Sequence, residues 1–168
     1  MFNRILVPTD GSEGMARVIE TASELAGVHD AAIHFVYAAH TASFSGLPME
    51  TSWERVGSML HDEGNAALDA AESRASVPRT ETEIVEGTPS REIVAYADEA
   101  DCDLVVMGTH GRGGLDRLLL GSVAERVVRS ADVPVLTVRV GDVDSAPDRS
   151  GDGDGPIAAD PSVTEALE

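Results

Sequence analysis

The sequence contains no lysine, and all twelve of its basic residues are arginine. That absence excludes two phosphate-handling classes. A Walker A loop, G-x-x-x-x-G-K-[ST], places a lysine on the terminal phosphates. A two-component receiver domain has the same alternating strand–helix layout as this chain but needs a lysine beside an acidic cluster. Cysteine is almost as scarce. The single Cys102 rules out an intramolecular disulfide and makes a cysteine-based zinc site implausible. Its position between two aspartates, at the start of an apolar run, suits a buried strand-edge thiol. Long apolar runs are also missing. No stretch approaches the roughly 20 residues of a membrane span. The opening "MFNRILVPTDG" has a short apolar run that leads straight into a turn, unlike a signal peptide. The expectation is a soluble, cytoplasmic protein.

Positive charge is in deficit. A formal net charge of −18 opposes nucleic acid and anionic membrane as partners, because the long-range field repels both. Acid-rich, lysine-free composition resembles that of proteins from salt-loving cells, where molar salt screens self-repulsion to within about 3 Å. High genomic GC content would also favour arginine over lysine.

What is present is enough for one core, with 42% of the chain hydrophobic. "RILVPTD" reads as a buried strand over Ile5 to Val7, ended by Pro8. "EGMARVIETASELAG" has helical spacing at Ala16, Ile19, Ala22 and Ala26, with Gly27 placed as a C-cap. Asp10 and Glu13 have capping-box spacing before it. "AAIHFVYA" is a second strand, and Thr51 to about Ser76 a long helix. "TETEIVEG" alternates in the manner of a strand near a sheet edge. Ser90 is the expected N-cap of a short helix in "TPSREIVAYADEA". The apolar "DLVVMG" suits an interior strand, Ser122 to Ser130 a last helix, and "VPVLTVRV" a last strand. Strict alternation of strand and helix predicts an α/β fold, a doubly wound parallel sheet with right-handed crossovers and helices on both faces. The fold is expected over residues 1–140. Residues 141–168, rich in Asp, Gly, Pro and Ser, read as a disordered acidic tail. "DRSGDGDG" in that tail lacks the spacing and terminal Glu of an EF-hand loop.

Ligand crevices in such sheets form beyond the carboxyl ends of the strands, where the strand order reverses. Here the first and fourth strands end in the two most unusual segments, "PTDG" and "GTHGRGG". The second is not a dinucleotide fingerprint: from Gly111, Gly113 fits G-x-G-x-x-G but the last position is Asp116. Its spacing is Gly108-x-x-Gly111, nine residues, then Gly121-Ser122. Gly111 would let backbone N–H groups approach a phosphate without interference from a Cβ. Gly121 and Ser122 begin the last helix, where free amides and the positive dipole end favour an anion. The Ser122 hydroxyl can cap that helix or donate to a phosphate oxygen. His110 has no second histidine at metal-ligand spacing. "LDRLLL" suits core or dimer contact through Leu118 to Leu120.

The G-2x-G-9x-G-[ST] pattern after an apolar strand, "VPTDGS" after the first strand and the closing "ADVPVLTVR" together resemble the universal stress protein family over residues 2–139. Members with this glycine pattern form its ATP-binding branch. The resemblance implies a five-stranded parallel sheet in order 3-2-1-4-5. It also implies a homodimer paired through the last strand, about Val133 to Arg139. ATP, AMP or another adenine nucleotide would lie across the ends of strands one and four, with Mg²⁺ brought by the nucleotide. By motif position, Pro8, Thr9 and Asp10 would line the adenosine side, with Asp10 facing ribose or base. The backbone of Ala38 would recognise adenine, and Met107 and Gly108 would contact sugar and base. Gly111, Arg112, Gly121, Ser122 and Val123 would surround the phosphates. Each position also has a purely structural role open to it: Asp10 and Ser122 as helix caps, Pro8 as a strand end, Met107 as core, Arg112 as a solvated charge. The expected function is a nucleotide-dependent stress-response switch or interaction module acting on a client protein. No catalytic base, nucleophile or metal set accompanies the pocket, so at most slow ATP hydrolysis is expected. The alternatives are a nucleotide-independent dimeric scaffold and, less well matched, an adenylating enzyme.

Overall fold

The computed structural model describes residues 1–40, 53–111 and 120–140. Arg112, Leu115 to Leu119 and the acidic segment 141–168, each given a role above, lie outside the described residues. Nine elements alternate along the chain: β1 (Arg4–Thr9), α1 (Met15–His29), β2 (Ala32–Ala39), α2 (Trp53–Arg74), β3 (Thr80–Glu86), α3 (Pro89–Glu99), β4 (Leu104–Gly108), α4 (Ser122–Ser130) and β5 (Val135–Val138). They form one parallel sheet in the order β3-β2-β1-β4-β5, so the predicted architecture holds.

The sheet divides the apolar residues into two cores. Ile5, Val7, Ile33 and Phe35 face α1 and α2, whereas Leu6, Val36, Val105 and Met107 face α3 and α4. Ile5, Leu6 and Val7 have no exposed surface, because β1 is the middle strand and is covered on both faces. The edge strand β3 is far more open, and Glu81 and Glu83 on it are exposed. Burying apolar area at about 25 cal/mol per Å² on both faces is the main stabilising term of such a layered fold.

Several local expectations are corrected. β1 does not stop at Val7 but runs through Pro8 to Thr9. The ladder between β1 and β4 contains only Ile5↔Leu104 and Leu6↔Val105, so Pro8 falls where β4 asks for no N–H. The Asp10–Glu13 capping box does not form. Asp10 instead accepts a bond from the Ser12 N–H at 3.0 Å, the N-cap is Gly14, and α1 begins only at Met15. Gly27 lies inside α1, and the C-cap is Asp30 in the left-handed region at φ 55°. Asp tolerates that region because its short side chain can bond locally. At α3 the N-cap is Thr88 rather than Ser90, since Pro89 suits the first helical position and Ser90 is buried. Pairing of the last strand is limited to Val135–Val138 within the predicted "VPVLTVRV".

Candidate functional site

The short β1–β4 ladder has a direct consequence. Beyond Leu6 and Val105 each strand continues for three residues without pairing to the other, to Thr9 and to Gly108. A cleft of about 500 Å³ opens at these carboxyl ends. That volume lies within the usual few hundred to ~1,000 Å³ of small-molecule sites.

One wall is the turn after β1. The Gly11 N–H donates to Thr9 Oγ1 at 3.2 Å and the Ser12 N–H to Asp10 Oδ1 at 3.0 Å. Gly11 closes this turn at φ 72°, a conformation that a side chain would strain. The opposite wall is the segment after β4. The second carboxylate oxygen of Asp10 comes so near the Gly111 backbone that a Cβ on Gly111 would lie 2.8 Å from it. The "PTDG" and "GTHG" segments therefore meet at Gly111, where any side chain would require the Asp10 carboxylate to shift.

Thr109 ties the α4 end of the cleft together. Its N–H donates to the Val138 carbonyl at 2.9 Å, and its own carbonyl accepts from the Gly121 N–H at 2.8 Å. Its hydroxyl lies 3.1 Å from His110 Nδ1 and accepts from the Val140 N–H at 3.4 Å. Through these bonds the end of β4 fixes where α4 starts. Gly121 is the N-cap, and the first helical bond runs from the Glu125 N–H to the Gly121 carbonyl. The amides of Ser122, Val123 and Ala124 precede that bond, so the helix offers them no acceptor. All three residues line the cleft. Gly121, with no side chain to cap with, takes the N-cap position, and Ser122 is the first helical residue.

The floor is apolar. Val36 and Met107 from the sheet, Ile93 from α3 and Met15 from α1 are buried beneath the opening. Ten of the eleven candidate positions line this single cleft: Pro8, Thr9, Asp10, Ala38, Met107, Gly108, Gly111, Gly121, Ser122 and Val123. Arg112, the eleventh, is outside the described residues. The sequence reading missed Thr109, His110, Tyr37, Met15, Val36, Pro89, Ile93 and Ala124 as lining residues. Thr109 stood between two singled-out residues, and a hydroxyl at a strand end was the signal available. The apolar residues gave none, since a cleft floor and a core have the same composition. Among the described residues no group of three His, Cys, Asp or Glu side chains is placed to hold a metal ion, and no helix is long and apolar enough to cross a membrane.

Chemically, the cleft combines an apolar floor, a carboxylate and hydroxyl rim, and a helix start whose first amides have no intrahelical acceptor. That combination suits a ligand with a planar apolar part, a hydroxylated middle and an anionic end.

Comparison with known proteins agrees with this arrangement. Residues 1–139 match the model of the universal stress protein family. The universal stress protein MJ0531 of Methanocaldococcus jannaschii is 41% identical over 141 residues, which cover 83% of each chain. Among solved structures, the universal stress protein UspA from Lactobacillus plantarum superposes with a TM-score of 0.70 at 28% identity, covering 82% of this chain and 97% of its own. A universal stress protein solved in complex with cAMP superposes with a TM-score of 0.65 at 26% identity, covering 83% of this chain and 99% of its own.

Proposed function

The chain belongs to the universal stress protein family, and from that premise we propose that its cleft binds an adenine nucleotide, ATP above all, and that occupancy switches an interaction surface. One observation carries the reading: the Asp10 carboxylate against Gly111, with the first amides of α4 at the other end of the same cleft. The adenine ring fits over the floor of Val36 and Met107, with the Ala38 backbone at its edge. Asp10 and Thr9 lie where ribose hydroxyls need acceptors and donors. Gly111 and the amides of Ser122 and Val123 receive the phosphates, helped by the dipole of α4. Arg112, the next residue in the chain, is the cation that the family resemblance assigns to the phosphates. Mg²⁺ enters with the nucleotide.

A homodimer through β5 goes with this reading. β5 is an edge strand, and Leu136 on it and Val128 on α4 are 38% and 45% exposed. Light scattering coupled to gel filtration reports that state directly.

Mass spectrometry of ligand released from the purified protein tests the nucleotide reading and separates ATP from AMP. Adenine nucleotide at near-stoichiometric amount is the expected result. A protein that neither retains nor takes up any adenine nucleotide, yet still engages its partner, would establish the nucleotide-independent scaffold instead.

A further inference from the structure

His34 carries the one buried side-chain nitrogen or oxygen among the described residues that lacks a hydrogen-bond partner, its Nε2. The residue is buried on β2, between Leu6 of β1 and Glu81 of β3 in the sheet register. Its Nδ1 lies 3.2 Å from the Tyr96 hydroxyl on α3, and the two rings meet edge to face at 6.1 Å. A neutral imidazole can tolerate this setting, because the Tyr96 contact serves one nitrogen and only the other goes unpaired. An imidazolium cannot do so as cheaply, since both nitrogens then donate and a charge is buried with them. The ionisable groups around the ring give that charge little help. Glu81 on β3 is 3.8 Å from Nδ1, and it and Glu83 are exposed. Burial lowers the His34 pKa, Glu81 opposes this, and Arg4 on β1 adds to the lowering. Tyr96 and Cys102, in the turn before β4, stay neutral because burial raises the pKa of each.

The two elements that meet at His34 also build part of the cleft, one step further along. Val36 follows His34 by two residues, so both side chains take the α3 face of the sheet, roughly 7 Å apart along the strand. Ile93 precedes Tyr96 by three residues, which places both on one side of α3. Val36 and Ile93 are buried in the same apolar cluster and line the cleft, as does Pro89 at the start of α3. The His34–Tyr96 contact and the Val36 and Ile93 floor are therefore held by the same seating of α3 on β2. A movement of α3 that brings water to His34 displaces two residues that line the cleft.

We propose that the His34–Tyr96 contact is a pH-sensitive latch: neutral His34 seats α3 on β2 and keeps the adenosine end of the cleft formed, and its protonation lifts α3 and weakens ligand binding. This rests on the adenine-nucleotide reading of the cleft. Linkage makes the effect reciprocal, so a ligand that needs α3 seated favours neutral His34 and lowers its pKa further. The latch acts below the ordinary histidine pKa of about 6.5, where acidification empties the cleft.

The test titrates adenosine into the full-length chain, His34→Leu and His34→Gln by calorimetry at pH 7.5 and pH 5.0 in about 2 M KCl, where surface charge is screened. Adenosine is the probe because it has no phosphate that titrates in this range. The wild type should bind adenosine at least about fivefold more weakly at pH 5.0, with an unchanged far-UV circular dichroism spectrum, and both variants should hold their affinity within about twofold. Equal wild-type affinity at the two pH values would overturn the latch while leaving the cleft reading intact. An equal loss in the variants would overturn it too, because another group would then be responsible. So would a loss that coincides with global unfolding at pH 5.0. The His34 ring signal, followed by NMR in the wild type, needs no variant: saturating adenosine should move its titration midpoint to lower pH, and an unmoved midpoint would overturn the latch. Failure of the wild type to bind adenosine or ATP even at pH 7.5 would overturn the cleft reading and the latch together.

Discussion

Replacing Tyr96 by Phe should destabilise the fold although Tyr96 is not among the residues that line the cleft. His34 on β2 is 4% exposed, and its Nδ1 lies 3.2 Å from the Tyr96 hydroxyl. Its Nε2 is buried without a hydrogen-bond partner among the described residues. The Glu81 carboxylate is 3.8 Å from Nδ1, too far for a hydrogen bond. Tyr96→Phe would therefore leave both ring nitrogens buried and unpaired, at a cost of about 1–2 kcal/mol. For a domain of this size that is a fall in Tm of about 3–8 °C.

The same site sets a pH dependence. Burial holds the His34 imidazole below its ordinary pKa, outweighing Glu81, which raises it, and Arg4 adds to the lowering. The folded pKa is depressed, so the unfolded chain binds the proton first as the pH falls through about 6.5. Stability is lost from there down to the folded pKa. His34→Leu removes that loss. Urea unfolding at pH 7.5 and pH 5.0 measures both effects, with the variant gaining on the wild type as the pH drops. A His34→Leu difference that is identical at the two pH values, or a Tyr96→Phe change under about 0.3 kcal/mol, well below the usual value of a hydrogen bond, would refute the reasoning.

Other expectations follow from single contacts or from charge. Gly111→Val must push Asp10 away from a position 2.8 Å from the new Cβ. It should weaken adenine-nucleotide binding at least about tenfold, ~1.4 kcal/mol, with an unchanged circular dichroism spectrum; full affinity would contradict the proposed contact. Cys102 is 4% exposed and burial pushes its thiol up to about 11. Ellman's reagent should therefore react slowly with the native protein at pH 8 and rapidly in urea, and rapid native reaction would show the thiol accessible. With a net charge of −18, Tm should rise between 0.1 M and 2 M KCl as self-repulsion is screened. A flat or falling Tm would remove the basis for reading the composition as an adaptation to salt.

The parts legible in the sequence were those decided by long patterns. Alternation of apolar runs with helical spacing was enough to predict a parallel sheet, and the resemblance supplied the order β3-β2-β1-β4-β5 that is observed. "PTDG" and "GTHG" were recognisable because glycine after a buried strand has few structural reasons to be there. Helix ends were misread wherever two nearby residues competed. Gly27 looked like a stop, but Asp30 supplies the left-handed turn three residues later. Ser90 looked like the cap, but Thr88 takes that place two residues earlier and Pro89 is the first helical residue. Asp10 had capping spacing, yet its carboxylate bonds Ser12 and faces Gly111 instead. The role of Thr109 was invisible for another reason. Its partners Gly121, Val138 and Val140 are distant in the chain and converge only when β4 and β5 pair.

The central claim is that the cleft between β1 and β4 is an adenine-nucleotide site, and isothermal titration of ATP–Mg²⁺ into the full-length chain at 2 M KCl tests it most directly. Saturable binding tighter than about 1 mM, more than ~4 kcal/mol, and lost in Gly111→Val, is the predicted result. No heat of binding up to millimolar ATP, or equal binding by Gly111→Val, would contradict it.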